Sequence, residues 1–526
     1  MFGPDGLRRS LIHGLIGAAM LLAATSVAIA APGDSASDPF IVAFKGGATT
    51  LDPIMRSETT TNSWQRHIFD TITILSPAGA PEPRIATGWK NLSPTEWQLT
   101  LRQGVHFQDG SLMTPEDVGA SIMDTRNNPK SQYREYAAEV TGYKVVNDHT
   151  IDLSFARPNP VFPIYLSQIP VMPEALIGRE GRAAFANHPI GTGPYRYVSW
   201  LADDHLLLET WSGFWGKEPA FHHVRLESIP EAATRLAALM SGQVQVAEKI
   251  DPADFARVRK SRRVTLKIVP GLRTMYLGVD VWREKDSAGM APGTKNPFMD
   301  REIRQAVAEA IDVGLIKDKI FDGAAVVAAQ FTPPGLEAYD PALKPIAYDP
   351  GAARKLLAAG GYAHGFAMRL DATNDRYLED SLVAQALGGM LGNIGITAKV
   401  NAIPKAIFFP AVNQGDFTVY LAGWSGTDPI STWNSVFHCR DAKLGFGHVN
   451  RARYCNPKAD ALMAEAGQTF DPEARIALER QAYAIAMHDL AYIPLYYQAE
   501  VAGVAHDVVW QERPDGLILT WQMTRK

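Results

Sequence analysis

The chain has 526 residues, 46% of them hydrophobic and 20% charged, which is too apolar for a disordered protein and long enough for two or three domains. With 51 basic against 56 acidic residues, a formal charge of −5 and no run of five like charges, it lacks the basic balance that phosphate-backbone binding requires. Its 43 glycines and 35 prolines follow no triplet period, which excludes a collagen-like chain.

At the N-terminus, Arg8 and Arg9 precede an apolar run that ends at Ala28-Ile29-Ala30. A basic n-region, an apolar h-region and small residues before Ala31 predict a secretory signal peptide over 1–30, an uncleaved membrane anchor being the alternative. No cysteine closes the h-region, so no lipid anchor is expected there. The run from Phe40 then reads as a strand that ends in the turn Gly46-Gly47, and a helix is expected over about 60–69. Polar and apolar residues alternate over 97–101 and 150–155, as in half-buried strands. Thr114-Pro115-Glu116-Asp117 carries a capping box with proline at the first helical position. Strands are expected at 194–200 and 206–210 around the turn 202–204, and again at 274–279 and 499–505. Helices are expected at 230–240, 300–312 and 471–488, the last two opened by a capping aspartate. Strands and helices thus mix along the whole chain, α/β or α+β, without an internal repeat. If the scattered strands share one domain, other domains are insertions in it and the chain crosses a hinge more than once.

Cys439 and Cys455 are the only cysteines, 16 positions apart. In an exported chain this pair predicts a disulfide closing a loop; a metal site is the weaker reading, because His438 has no further ligand motif beside it. No G-x-S-x-G, H-E-x-x-H or S-x-x-K with K-T-G motif is present, and neither a dinucleotide fingerprint nor a Walker loop. No cofactor and no metal are expected, and a secreted hydrolase built on scattered aspartates is the remote alternative.

Five motifs occur in order: Leu51-Asp52-Pro53, Gly191-Thr192-Gly193-Pro194-Tyr195, Asp300 to Asp312 (DREIRQAVAEAID), Ala422-Gly423-Trp424, and Arg453-Tyr454-Cys455-Asn456-Pro457. Together, over 38–526, they resemble the large extracytoplasmic solute-binding proteins of ABC importers, the peptide, oligopeptide and nickel-binding family 5. The resemblance implies an α/β two-lobed periplasmic-binding-protein fold, type II in its large cluster C form, with an extra peripheral subdomain. It divides the chain into lobe 1 (31–71, 195–290 and 500–526), a peripheral subdomain of lobe 1 (72–194) and lobe 2 (291–499), hinged near 285–295 and 495–505. It further implies a periplasmic, monomeric, noncatalytic receptor that hands a small peptide or peptide-like solute to ABC permease subunits. An opine, sugar conjugate or metal chelate is the alternative cargo.

In peptide binders that this chain resembles, an Asp three residues after the Gly-Trp tryptophan holds the ligand's ammonium; here that position is Thr427, followed by Asp428. Either the loop is shifted and Asp428 serves, or the anchor is lost; Asp428 as a turn acid before Pro429 is the plain alternative. Trp424 is read as a cleft wall, or as a residue fixing its loop to the core. Gly46 and Gly47, at the end of the first strand, are candidates for backbone contact with the solute or simply a tight turn. Asn374 and Arg376, in the turn after 367–373, and Arg273 with Tyr276, on a first-lobe strand, are candidates for carboxylate recognition. Arg66 and His67 are weaker ones.

Overall fold

Sequence analysis expects short strands at 274–279 and 499–505; in the computed structural model these are the ends of two long strands, Val264–Val279 and Tyr492–Ala505, of 16 and 14 residues. Pro270-Gly271 and Pro494 hide their continuity, because proline and glycine both weigh against a strand interior. The two strands pair antiparallel from Val264 opposite Ala505 to Gly278 opposite Tyr492, with a register shift between Pro270 and Arg273. Described are residues 39–526 except Asp286 and Leu444, so the expected signal peptide lies outside the described residues.

Around this central pair an 11-stranded sheet extends in both directions. On one side, the Arg273–Val279 half of the first long strand pairs with Val419–Ser425, which is followed by Ala367–Thr373 and Thr397–Ile403; these three are mutually parallel. The short strand Ala325–Val327 pairs with residues 496–498 of the second long strand. On the other side, Val246–Glu248 pairs with residues 502–504, followed by Phe40–Phe44, His223–Ser228, His205–Thr210 and Tyr195–Leu201. Two lobes therefore share two strands that run through both. Near the expected boundary between the lobes at 290, Asp280 N–H donates to Thr418 O (2.8 Å) and Arg369 N–H to Gly289 O (2.9 Å).

The peripheral subdomain is a four-stranded antiparallel sheet, in the order Ala86–Ser93, Glu96–Leu101, Thr150–Phe155, Val140–Asn147, with its own core of Trp97, Leu99, Val118, Ile122 and Phe162. The helix Pro115–Asn127 carries the capping box read from the sequence. The Gly-Thr-Gly motif joins the subdomain to its lobe. A Cβ on Gly191 would lie 2.2 Å from Ile68 O and one on Gly193 2.6 Å from the same carbonyl, so only glycine permits this backbone approach. Beside it the buried Asp70 binds Arg84 (2.5 Å), the Thr192 hydroxyl (3.1 Å) and the Trp215 indole N–H (2.9 Å).

The remaining motifs are also structural. Asp300 caps Arg301–Glu309, and Arg304 of that helix donates to Asp489 O at the end of Pro472–Asp489. Asn456 caps Pro457–Ala466, and Tyr454 donates to Asp489 Oδ2 (2.7 Å). Cys439 and Cys455 form the expected disulfide, their Cα atoms 4.4 Å apart.

Candidate ligand-binding site

Ala367–Thr373 and Val419–Ser425 are neighbouring parallel strands, and in such sheets ligands meet the loops at the carboxyl ends. The first of these loops is shaped by Asp380, a buried residue opening the helix Asp380–Gly392. Its Oδ2 accepts from the Thr373 hydroxyl (2.6 Å) and from the backbone N–H of Arg376 and Tyr377 (3.1 Å each). Three bonds to one oxygen curl the loop tightly, burying Tyr377, whose hydroxyl donates to Gly423 O (3.2 Å), and leaving Asn374 and Arg376 exposed.

Arg273 approaches the same ring from the long strand, where it lies opposite Ser425 on one side and Gln498 on the other. The guanidinium carbons of Arg273 and Arg376 stand 5.7 and 5.6 Å from the centre of the Tyr377 ring. Among the described residues neither guanidinium has a carboxylate at ion-pair distance. Burial pulls the pKa of Arg273 below its usual value, and the charge of Arg376 adds to this. Two cations held beside one aromatic ring without a counter-ion form a place for an anion, and a guanidinium fork matches a carboxylate.

The second loop follows Trp424. That indole is partly buried against the aromatic core of lobe 2, and its N–H donates to Thr432 Oγ1 (3.2 Å), so it ties the loop to its own lobe. Thr427 lines a small crevice together with Leu75, Leu272, Leu336, Pro514 and Asp515, residues far apart in the chain. Asp428 does not reach it with a free carboxylate. It is 2% exposed and caps the short helix Pro429–Thr432, accepting from Ser431 N–H (2.8 Å) and the Ser431 hydroxyl (2.5 Å). Burial pushes its pKa up to about 6 against these hydrogen bonds.

Other sequence candidates are dispersed. Tyr276 is fully buried among Phe331, Tyr420 and Tyr492 and is a core residue here. Gly47 packs near the Asp203 backbone, while a side chain on Gly46 would meet nothing within 4 Å. Arg66 donates to Thr71 and Ser167 within lobe 1. His67 is buried, bonded to Ser63 O (2.7 Å) and to Thr520 N–H (3.1 Å), and burial drives its pKa down to about 4, so it packs as a neutral ring. Sequence reading misses Tyr377 and Asp380. A capping signal is available in Asp380, but an acid inside Arg376-Tyr377-Leu378-Glu379-Asp380 does not reveal from sequence that its partners lie upstream.

No group of three or more His, Cys, Asp or Glu side chains among the described residues is placed to hold a metal ion, and no described helix is long and apolar enough to cross a membrane. The architecture is therefore two lobes sharing one sheet, with a further subdomain inserted in the first. The family model for bacterial extracellular solute-binding proteins, family 5, matches residues 80–443, and the chain belongs to that family: it is a noncatalytic, extracytoplasmic receptor of an ABC importer. The chain is 26% identical over 491 residues to the glutathione-binding protein GsiB of Salmonella paratyphi A, covering 91% of this chain and 92% of the relative. It is 25% identical over 468 residues to the dipeptide-binding protein of Escherichia coli K12, covering 82% and 81%. Its fold is similar to that of the substrate-binding protein CtaP from Listeria monocytogenes, with a TM-score of 0.82 over 93% of this chain and 99% of the other at 19% identity.

Proposed function

We propose that the mature protein, cleaved near Ala30 and acting as a monomer, captures a small peptide-like solute through its carboxylate and delivers it to ABC permease subunits in the periplasm. The observation that carries this reading is the pair Arg273 and Arg376 around Tyr377, both without a carboxylate at ion-pair distance among the described residues. Thr427 contributes a hydroxyl to the cleft, and the ammonium anchor at this loop is lost, since Asp428 spends both oxygens on Ser431. The names of the glutathione- and dipeptide-binding relatives support a peptide-like cargo. An opine would satisfy the same two arginines, and the missing anchor favours it as the second reading. The lobes rotate about residues 270–273 and 498–499, where the register of the long pair shifts, instead of about 285–295.

The test is isothermal titration of short peptides and their C-terminal amides, with mass spectrometry of the solute carried through native purification. Carboxylates should bind and amides should not. Equal affinity for both forms, or a carried solute without an acid group, would overturn the reading.

A further inference from the structure

A second crevice opens on lobe 1, where the parallel strands Phe40–Phe44 and Val246–Glu248 end beside the long pair. It encloses about 260 Å³, solvent included, and is lined among others by Glu248, Lys249, Glu500, Trp510, Glu512 and Arg513. Its interior has room for one water-sized group, which is the size of an ammonium.

The carboxylates here differ from those that organise the two cleft loops and the Gly-Thr-Gly junction. Asp380 and Asp428 are occupied in capping backbone N–H groups, and Asp70 is ion-paired. Glu512, by contrast, is only 7% exposed and has no hydrogen-bond or ion-pair partner among the described residues, its Oε2 being fully enclosed. Glu500 has none either: its carboxylate lies in the gap left by two glycines, where a Cβ on Gly271 or Gly516 would come within 3.3 or 3.1 Å of its side chain. Glu248 uses Oε1 to accept the Lys45 N–H (2.7 Å). The cations nearby act on them only at longer range. Arg513 is engaged by Asp515 (2.6 Å) and Leu75 O (2.9 Å), and neither Lys249, Lys267 nor Arg273 comes within ion-pair distance of the three glutamates. A buried carboxyl without a partner is costly, so such a group persists where something else completes it. Burial, with Glu500 next in effect, pushes Glu512 up to about 8, so alone this carboxyl keeps its proton at neutral pH, and a cation seated beside it would draw the value back down.

We infer that this crevice is a subsite for a cationic group of the transported solute, an ammonium held by Glu248, Glu500 and Glu512 beside the Trp510 indole. The inference rests on the interlobe cleft as the solute site. It supplies on lobe 1 the acidic anchor that position 427 lacks on lobe 2. Strand geometry gives the spacing: Arg273 lies opposite Gln498, and Glu500 follows on the same face of that strand, about 7 Å further along. A solute with an acid and an amine a few bonds apart, such as a zwitterionic peptide or amino-acid conjugate, spans that distance. The three glutamates are not grouped as metal ligands, and an indole wall suits an organic cation.

Thermal unfolding can separate the two subsites with simple ions. Propylammonium chloride should raise the midpoint of the wild-type protein by about 1 °C or more over sodium chloride of equal ionic strength. Glu512→Gln and Glu500→Gln, both isosteric, should each abolish that rise while keeping the response to sodium propionate; Arg376→Met should do the reverse. No rise in the wild type, or the same rise in both glutamine variants, would overturn the cation subsite. In the wild type, no propionate response beside an intact propylammonium response would remove the arginine reading and leave this one standing.

Discussion

Two loops leave neighbouring parallel strands of lobe 2, and each is organised by a buried aspartate. Asp380 gathers the Thr373 hydroxyl and the Arg376 and Tyr377 amides, while Asp428 gathers the Ser431 amide and hydroxyl. The outcome differs in what each loop then shows to the cleft. The first presents an unpaired guanidinium beside an aromatic ring; the second presents the uncharged Thr427. The lesson is that a buried carboxylate in such a loop is a scaffold when its oxygens are occupied, and that under the proposed function recognition falls to the charges the scaffold leaves unpaired.

The strongest way to break this comparison is to remove the better-connected scaffold. Asp380→Ala should cost about 3 kcal/mol of stability in urea unfolding, because it strands two amides and a hydroxyl, and should weaken solute binding as well. A loss under about 1 kcal/mol would show that the loop does not depend on this oxygen.

The second test uses pH. Burial holds Asp428 at about 6 and its neighbour Glu479, whose two oxygens have no hydrogen-bond partner, at about 8. Both values lie above those of the unfolded chain, so the native state binds protons that the unfolded chain releases. Their contribution is therefore fully present below about pH 4 and is lost as pH rises through about 6 for Asp428 and about 8 for Glu479. Each is worth about 2 kcal/mol or more over its window. Asp428→Asn, which keeps a capping side chain, should flatten the stability profile between about pH 4 and 6, and Glu479→Gln should flatten it up to about 8. Neither should shift solute affinity by more than about 0.5 kcal/mol, since both side chains are buried; a strong loss in Asp428→Asn would restore the ammonium anchor.

A smaller effect is expected where the charge is presented. Arg376→Met should weaken a carboxylate solute roughly 10-fold and Arg273→Met somewhat more, with unfolding midpoints little changed. Unchanged affinity in both would leave the first loop as scaffold only. Smallest of all is Trp424→Phe, which removes the indole N–H bond to Thr432 and should cost about 1 kcal/mol of stability at constant affinity. A tenfold drop in affinity would instead make that ring a wall of the cleft.

Much of the framework was legible along the chain because its signals are local. A capping box at Thr114, a glycine stop at Gly242, capping aspartates at Asp300 and Asp471 and a turn at 202–204 each act within a few residues of where they are read. The family motifs were legible for a related reason: Gly191, Arg304 and Asn456 serve backbone packing and capping, which constrain residue type strongly. What tertiary structure alone decided was which charges are left without partners. Nothing in the sequence separates Asp428 and Asp380 from Glu500 and Glu512, and only the fold shows that the first pair is consumed by local amides while the second has no hydrogen-bond partner among the described residues. The long strands were likewise hidden, since Val264–Val279 and Tyr492–Ala505 are held across Pro270 and Pro494 by pairing with each other, from residues more than 200 positions away. Propensity acts on neighbours in the chain, whereas strand pairing and charge neutralisation act on neighbours in space, and the cleft of this receptor is built from the latter.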